Sequence, residues 1–104
     1  MRKVKVKICG LKRAQDIECV NRLLPDYIGF VFAKTKREVT EQQAAQLKAM
    51  LNPQIKAVGV FVNAEIDLIA RLAESRTIDI IQLHGDEDAA YCERLRLQTE
   101  LPII

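Results

Sequence analysis

With 104 residues, the chain is large enough for one core and too small for two. A hydrophobic share of 49% and a charged share of 29% describe an ordinary globular chain, and a net charge of +2 argues against nucleic acid or an acidic membrane as partner. Aromatics at 5% do not suit a base-stacking platform, and no stretch is long and apolar enough to cross a membrane. Cys9, Cys19 and Cys92 are widely spaced, and the single histidine, His84, stands alone, so no metal-ligand spacing occurs. Reduced thiols in a cytoplasmic protein are expected. The basic start Met1-Arg2-Lys3 is followed by Lys5 and Lys7, which break the apolar run that a secretory signal requires.

Alternation predicts a first strand from Val4 to Cys9, with Val4, Val6 and Ile8 on one face and Lys5, Lys7 and Cys9 on the other. Gly10 follows, where the backbone turns and a ligand can approach. Cys9 thus ends a strand two residues from an ammonium that favours its thiolate; the other reading is a small buried hydrophobe. Ala14, Ile17, Val20 and Leu24, with Cys19 and Leu23 beside them, predict a first helix closed by Pro25-Asp26. Tyr27 to Phe32 reads as the second strand, followed by a basic loop that contains Lys34, Lys36 and Arg37. Thr40 to Gln43 has the form of a capping box, which places a second helix over Glu41 to Leu51, with Ala44, Leu47 and Leu51 buried.

Lys56 to Val62 reads as the third strand, and Asn63 as the cap of a third helix with a stripe of Ile66, Ile69, Ala70 and Ala73. Ile78 to His84 reads as the fourth strand. Gly85-Asp86 leads into a helix with acidic residues in its first turn and an apolar side of Ala89, Cys92 and Leu95. Cys19 and Cys92 are expected in the core. Leu101 to Ile104 begins a fifth strand. The chain therefore reads as a single partial domain over 1–104: four strand-helix units plus the start of another strand.

Strands alternating with helices call for parallel pairing. Two architectures compete: an open sheet covered on both faces, and the first half of a (β/α)8 barrel truncated in strand five. Lys5 and Lys7 share the phase of Cys9, and Gln82 shares that of His84. A covered face would bury these groups at about 1–3 kcal/mol for each one left unpaired, whereas the mouth of a barrel can use them. Gly29 and Gly59 are expected on the corresponding phase of the second and third strands if Asn63 faces that mouth. Asp79 falls on the opposite phase, without an assigned role. The barrel is the favoured reading; the alternative is a flavodoxin-like or response-regulator-like binding or signalling module.

Lys-Ile-Cys-Gly-Leu (7–11), Gly-Phe-Val-Phe-Ala-Lys-Thr-Lys-Arg (29–37), Val-Gly-Val-Phe-Val-Asn (58–63) and Gln-Leu-His-Gly-Asp-Glu (82–87) resemble successive signatures of phosphoribosylanthranilate isomerase. The resemblance implies a tryptophan-biosynthesis enzyme on a TIM (β/α)8 barrel that works without cofactor or metal on a small phosphoribosyl substrate. That family rearranges N-(5-phosphoribosyl)anthranilate to 1-(2-carboxyphenylamino)-1-deoxyribulose 5-phosphate. By motif, Cys9 corresponds to the general base and Arg37 to the holder of the anthranilate carboxylate, with Gln82 and His84 lining the substrate site. Lys12 stands where the pattern commonly has threonine, which weakens the first helix cap, and Glu38 replaces an aromatic and could compete for Arg37. The resemblance places the general acid at the end of strand six and the phosphate site after strands seven and eight. Neither has a counterpart here, and Asp86 and Asp88 do not fill the role. The expectation is an inactive amino-terminal fragment that self-associates or needs the other half-barrel to cover its inner face and strand edges.

Overall fold

The computed structural model describes residues 6–104, so the expected strand positions Val4 and Lys5 lie outside the described residues. Strands β1 (Lys7–Cys9), β2 (Tyr27–Val31), β3 (Lys56–Phe61) and β4 (Ile80–Leu83) alternate with helices α1 (Ala14–Leu23), α2 (Glu41–Met50), α3 (Ile66–Glu74) and α4 (Ala89–Arg96). All four strands pair in parallel, in the order β1-β2-β3-β4. An order that follows the chain has no reversal, so right-handed crossovers carry every helix to one face. A doubly wound module needs a reversal, with helices on both faces, and this order excludes it. The last residues extend the same progression: Ile103 bridges Ile81 in parallel, and Leu83 N–H donates to Ile104 C=O at 3.0 Å.

Helix termini follow local chemistry. Thr40 Oγ accepts the Gln43 N–H at 3.1 Å, while Gln43 Oε1 accepts the Thr40 N–H at 2.9 Å, closing the expected capping box. The first helix has Arg13 at its cap position, where a donor-only side chain cannot accept. Asp16 compensates by accepting the N–H groups of Lys12 and Arg13. Burial opposes its ionisation, but these hydrogen bonds outweigh it and hold the carboxyl below its usual range. The fourth helix starts later than expected. Asp88 is its cap, accepting from Tyr91 N–H at 2.8 Å, and no acidic residue lies in its first turn.

The core lies between the sheet and the helices. Ile28, Phe30, Ala57, Phe61 and Ile81 face it and are fully buried, as are Ile17, Ile69, Leu72 and Leu95 from the helices. Leu72 carries more of the third helix's burial than the expected Ile66, Ala70 and Ala73, which are only half-buried. Cys19, expected in the core, is exposed, because Ile17 and Val20 alone set the buried stripe of α1; Cys92 is half-buried. Gly59 is also corrected. It pairs with Phe30 and Ile81 on the helix side, where a Cβ would stand 2.9 Å from the Phe61 ring and 3.0 Å from Ile78. It is glycine because the core is already filled there. Asp79 acquires a role at the opposite end of the strands. Its Oδ2 accepts the Ala57 N–H at 2.8 Å and the Lys48 ammonium at 3.1 Å, joining α2, β3 and β4.

The other sheet face carries Lys7 and Cys9, Tyr27, Gly29 and Val31, Val58 and Val60, and Ile80 and Gln82, aligned by strand register. Lys7 Nζ donates to Gln82 Oε1 across two intervening strands. In a flat sheet those strands would lie about 14 Å apart, three spacings of roughly 4.8 Å, with side chains standing perpendicular to the sheet. The contact therefore requires a sheet curled concave on this face, as in a barrel wall. No helix among the described residues is long and apolar enough to cross a membrane.

Candidate active site

Because the strands are parallel and neighbouring, their carboxyl ends share one rim. Cys9 is the last residue of β1, an exposed free thiol on the concave face. Its side chain lies across β2 at Gly29, where an added Cβ would stand 2.6 Å from Sγ and 3.3 Å from the Cys9 Cβ. Gly29 is thus the floor on which the thiol rests. Gly10 turns the chain at a φ of +86°, a conformation that glycine adopts without strain, and its N–H donates to Gly29 C=O at 2.9 Å.

The same Gly10 brings Arg37 in. A Cβ at Gly10 would stand 2.5 Å from Arg37 Cδ and 3.2 Å from Nε, so the arginine crosses the β1 loop directly over the glycine. Thr35 Oγ1 accepts the Arg37 N–H at 3.1 Å, and Lys12 Nζ donates to Lys36 C=O at 3.0 Å, binding the two loops together. Among the described residues, Glu38 forms no ion pair with Arg37; the ion pairs there are Arg13–Asp16, Lys48–Asp79 and Arg71–Glu41. Cys9 thus lies against Gly29 and Arg37 over Gly10, two glycines joined by a backbone hydrogen bond.

On the far side of the concavity, half-buried Gln82 holds the Lys7 ammonium. His84 comes two residues after Gln82, in the same phase and immediately past the end of β4. It is exposed, and its N–H donates to Phe61 C=O at 2.8 Å. All four residues that the sequence singles out therefore belong to one rim or to the concave face below it. Below the rim, a cavity of about 320 Å³ is lined by Lys7, Tyr27, Val58, Ile80, Pro102 and Ile104. A larger cleft of about 790 Å³, bordered by Phe32, Glu38, Asn63 and Leu68, lies between the loops after β2 and β3 and touches none of the four. No group of three metal-ligating side chains occurs among the described residues.

Asn63 is not the cap of α3; that position belongs to Glu65, whose side chain makes no capping bond. Instead, Asn63 Oδ1 accepts the Asp86 N–H at 3.0 Å, and its own N–H donates to Glu87 Oε2 at 2.8 Å. Burial works against the charge on Glu87, but hydrogen bonds from the Asn63 and Gly85 backbone, aided by the charge of His84, hold its carboxyl below the usual range. Sequence reasoning missed this pair because a single acid beyond a strand looks the same whether it faces a helix dipole or a neighbouring loop.

A family model described as N-(5'phosphoribosyl)anthranilate (PRA) isomerase matches residues 6–104. The N-(5'-phosphoribosyl)anthranilate isomerase of Lachnoclostridium phytofermentans is 50% identical over 101 residues, covering 97% of this chain and 46% of that protein. The phosphoribosylanthranilate isomerase of Thermotoga maritima, solved as a monomeric form of a dimeric enzyme, superposes with a TM-score of 0.83 at 34% identity, over 96% of this chain and 51% of that one. A solved phosphoribosyl anthranilate isomerase in complex with reduced 1-(o-carboxyphenylamino)-1-deoxyribulose 5-phosphate superposes with a TM-score of 0.82 at 32% identity, again over 96% of this chain and 51% of that one. The chain spans about half the length of the curated relatives that it matches.

Proposed function

The chain belongs to the N-(5'-phosphoribosyl)anthranilate isomerase family, and on that premise we propose that it carries the base and the carboxylate-binding group of an Amadori isomerase. The observation that supports this reading is the placement of Cys9 against Gly29 and of Arg37 over Gly10 at the strand ends, with Gln82 on the same concave face and His84 just past the end of β4. In the reaction, protonation of the sugar ring oxygen opens the C1–O bond to a Schiff base. The Cys9 thiolate then takes the C2 proton, and the resulting enolamine becomes the ketose; a thiolate is a suitable base at such a carbon. Arg37 offers the anthranilate carboxylate two parallel N–H donors. Gln82 and His84 contact the same ligand.

The residues that the resemblance assigns to acid catalysis and phosphate binding belong to later strands, so residues 1–104 alone are expected to bind without turnover. The uncovered concave face is proposed to need a second half-barrel or another copy; light scattering that finds a stable monomer at high dilution would reject this. Three unpaired thiols suit the cytoplasm. Calorimetric titration of reduced 1-(o-carboxyphenylamino)-1-deoxyribulose 5-phosphate tests the site. Arg37→Ala is expected to weaken binding about tenfold or more, since a charged hydrogen-bonded pair contributes roughly 1.5–3 kcal/mol. Cys9→Ser is expected to change affinity less, while removing most turnover when the missing half is supplied by a relative. Unaltered affinity in Arg37→Ala would take the carboxylate away from that loop.

A further inference from the structure

Several independent contacts meet where the loop after β3 touches the loop after β4. The Glu87 carboxylate accepts two backbone N–H groups, Asn63 on Oε2 and Gly85 on Oε1, both at 2.8 Å. Asn63 returns a bond through Oδ1 to the Asp86 N–H, from a backbone at a φ of +48°, which asparagine tolerates better than most residues. Gly85 makes the approach possible, since a Cβ there would stand 3.0 Å from Asn63 Oδ1 and 3.1 Å from its backbone nitrogen. The Tyr91 hydroxyl donates to Ala64 C=O at 2.7 Å and fastens α4 to the same loop. His84 is the one residue between the end of β4 and this junction, and its own N–H is already spent on Phe61 C=O. Its backbone is therefore held from both sides.

We propose that Asn63 and Glu87 are positioning residues that clasp the two loops together and so set where the imidazole of His84 stands at the rim. An ionised carboxylate suits the task because it is acceptor-only and can take an N–H on each oxygen. The consequence for ligand binding rests on the isomerase reading above; the clasp does not.

The chain has one histidine, so its ring protons report on His84 directly in a proton NMR spectrum. Asn63→Gly keeps the left-handed backbone accessible, changes no charge and removes Oδ1. It is expected to speed exchange of the Asp86 amide about tenfold relative to core amides and to shift the His84 ring resonances. Glu87→Gln, which leaves one acceptor oxygen and turns an amide donor toward a second N–H, is expected to do the same at Asn63 and Gly85. Faster Asp86 exchange with the His84 ring resonances unmoved in Asn63→Gly would overturn the proposal. If Asn63→Gly does not fold, Gly85→Ala decides the same question, because its methyl displaces Asn63 by a few tenths of an ångström without altering any polar group. Affinity for reduced 1-(o-carboxyphenylamino)-1-deoxyribulose 5-phosphate is expected to fall about tenfold in each variant. If the parent chain does not bind that ligand, the isomerase reading fails, while the NMR comparison still decides the clasp.

Discussion

Substitution of Gly29 by alanine tests whether the Cys9 thiol rests on β2. The added methyl carbon would stand 2.6 Å from Sγ, 3.3 Å from the Cys9 Cβ and 3.4 Å from its Cα. Ordinary carbon contacts begin near 3.5 Å, so the overlap with sulfur is close to an ångström. Rotation about χ1 can move the sulfur but leaves the tight contact with Cβ. Overpacking of this kind costs about 1–3 kcal/mol, offset by the roughly 0.5–1 kcal/mol that alanine regains over glycine within a strand. A net loss of up to about 2.5 kcal/mol is expected, read as a lower urea midpoint with an unchanged slope. The thiol is the partner, so the loss should shrink in a Cys9→Ala background, giving a coupling of about 0.5 kcal/mol or more in a double-mutant cycle. Equal destabilisation in both backgrounds would show that the thiol lies elsewhere, and the geometry of the rim would have to be redrawn.

Asp79→Ala should destabilise the chain by about 1–3 kcal/mol, because the Ala57 N–H loses its carboxylate acceptor and Lys48 its ion pair; urea denaturation that finds less than half a kcal/mol would refute the latch. Glu87 has a folded-state pKa below its ordinary value of 4.5. Its contribution is therefore complete above about 4.5 and is lost as pH falls through the lower folded value. Protection of the Asn63 and Gly85 amides, taken relative to their intrinsic exchange rates at each pH, should fall in that acid window before that of the core amides, in the presence of the neighbouring His84, Asp86, Asp88 and Tyr91 groups. Simultaneous loss of protection throughout the molecule would count against a local clasp.

Much of this architecture is local and therefore legible in the chain. The Thr40–Gln43 box, the buried Ala44, Leu47 and Leu51, and the phase that unites Lys7, Cys9, Gln82 and His84 all follow from periodicities of two and of about 3.6. What fails is any assignment that depends on how many neighbours a residue acquires. Cys19 lies beside a helical stripe and remains outside it, and strand phase alone puts Gly59 on the wrong face. Asn63 has the chemistry of a helix cap and is used instead to join two loops.

The order of hydrophobic and polar residues alone determined that four strand-helix units would form and that a thiol, an amide and an imidazole would share the phase of their strand faces. That follows because side-chain direction in a strand alternates strictly with sequence position. Tertiary structure alone decided the sequential strand order, the inward curl that lets Lys7 reach Gln82, and the close approaches that set Arg37 over Gly10 and Cys9 against Gly29. Those are distances between segments far apart in the chain, and they exist only once the helices have packed against one face and bent the sheet around the other.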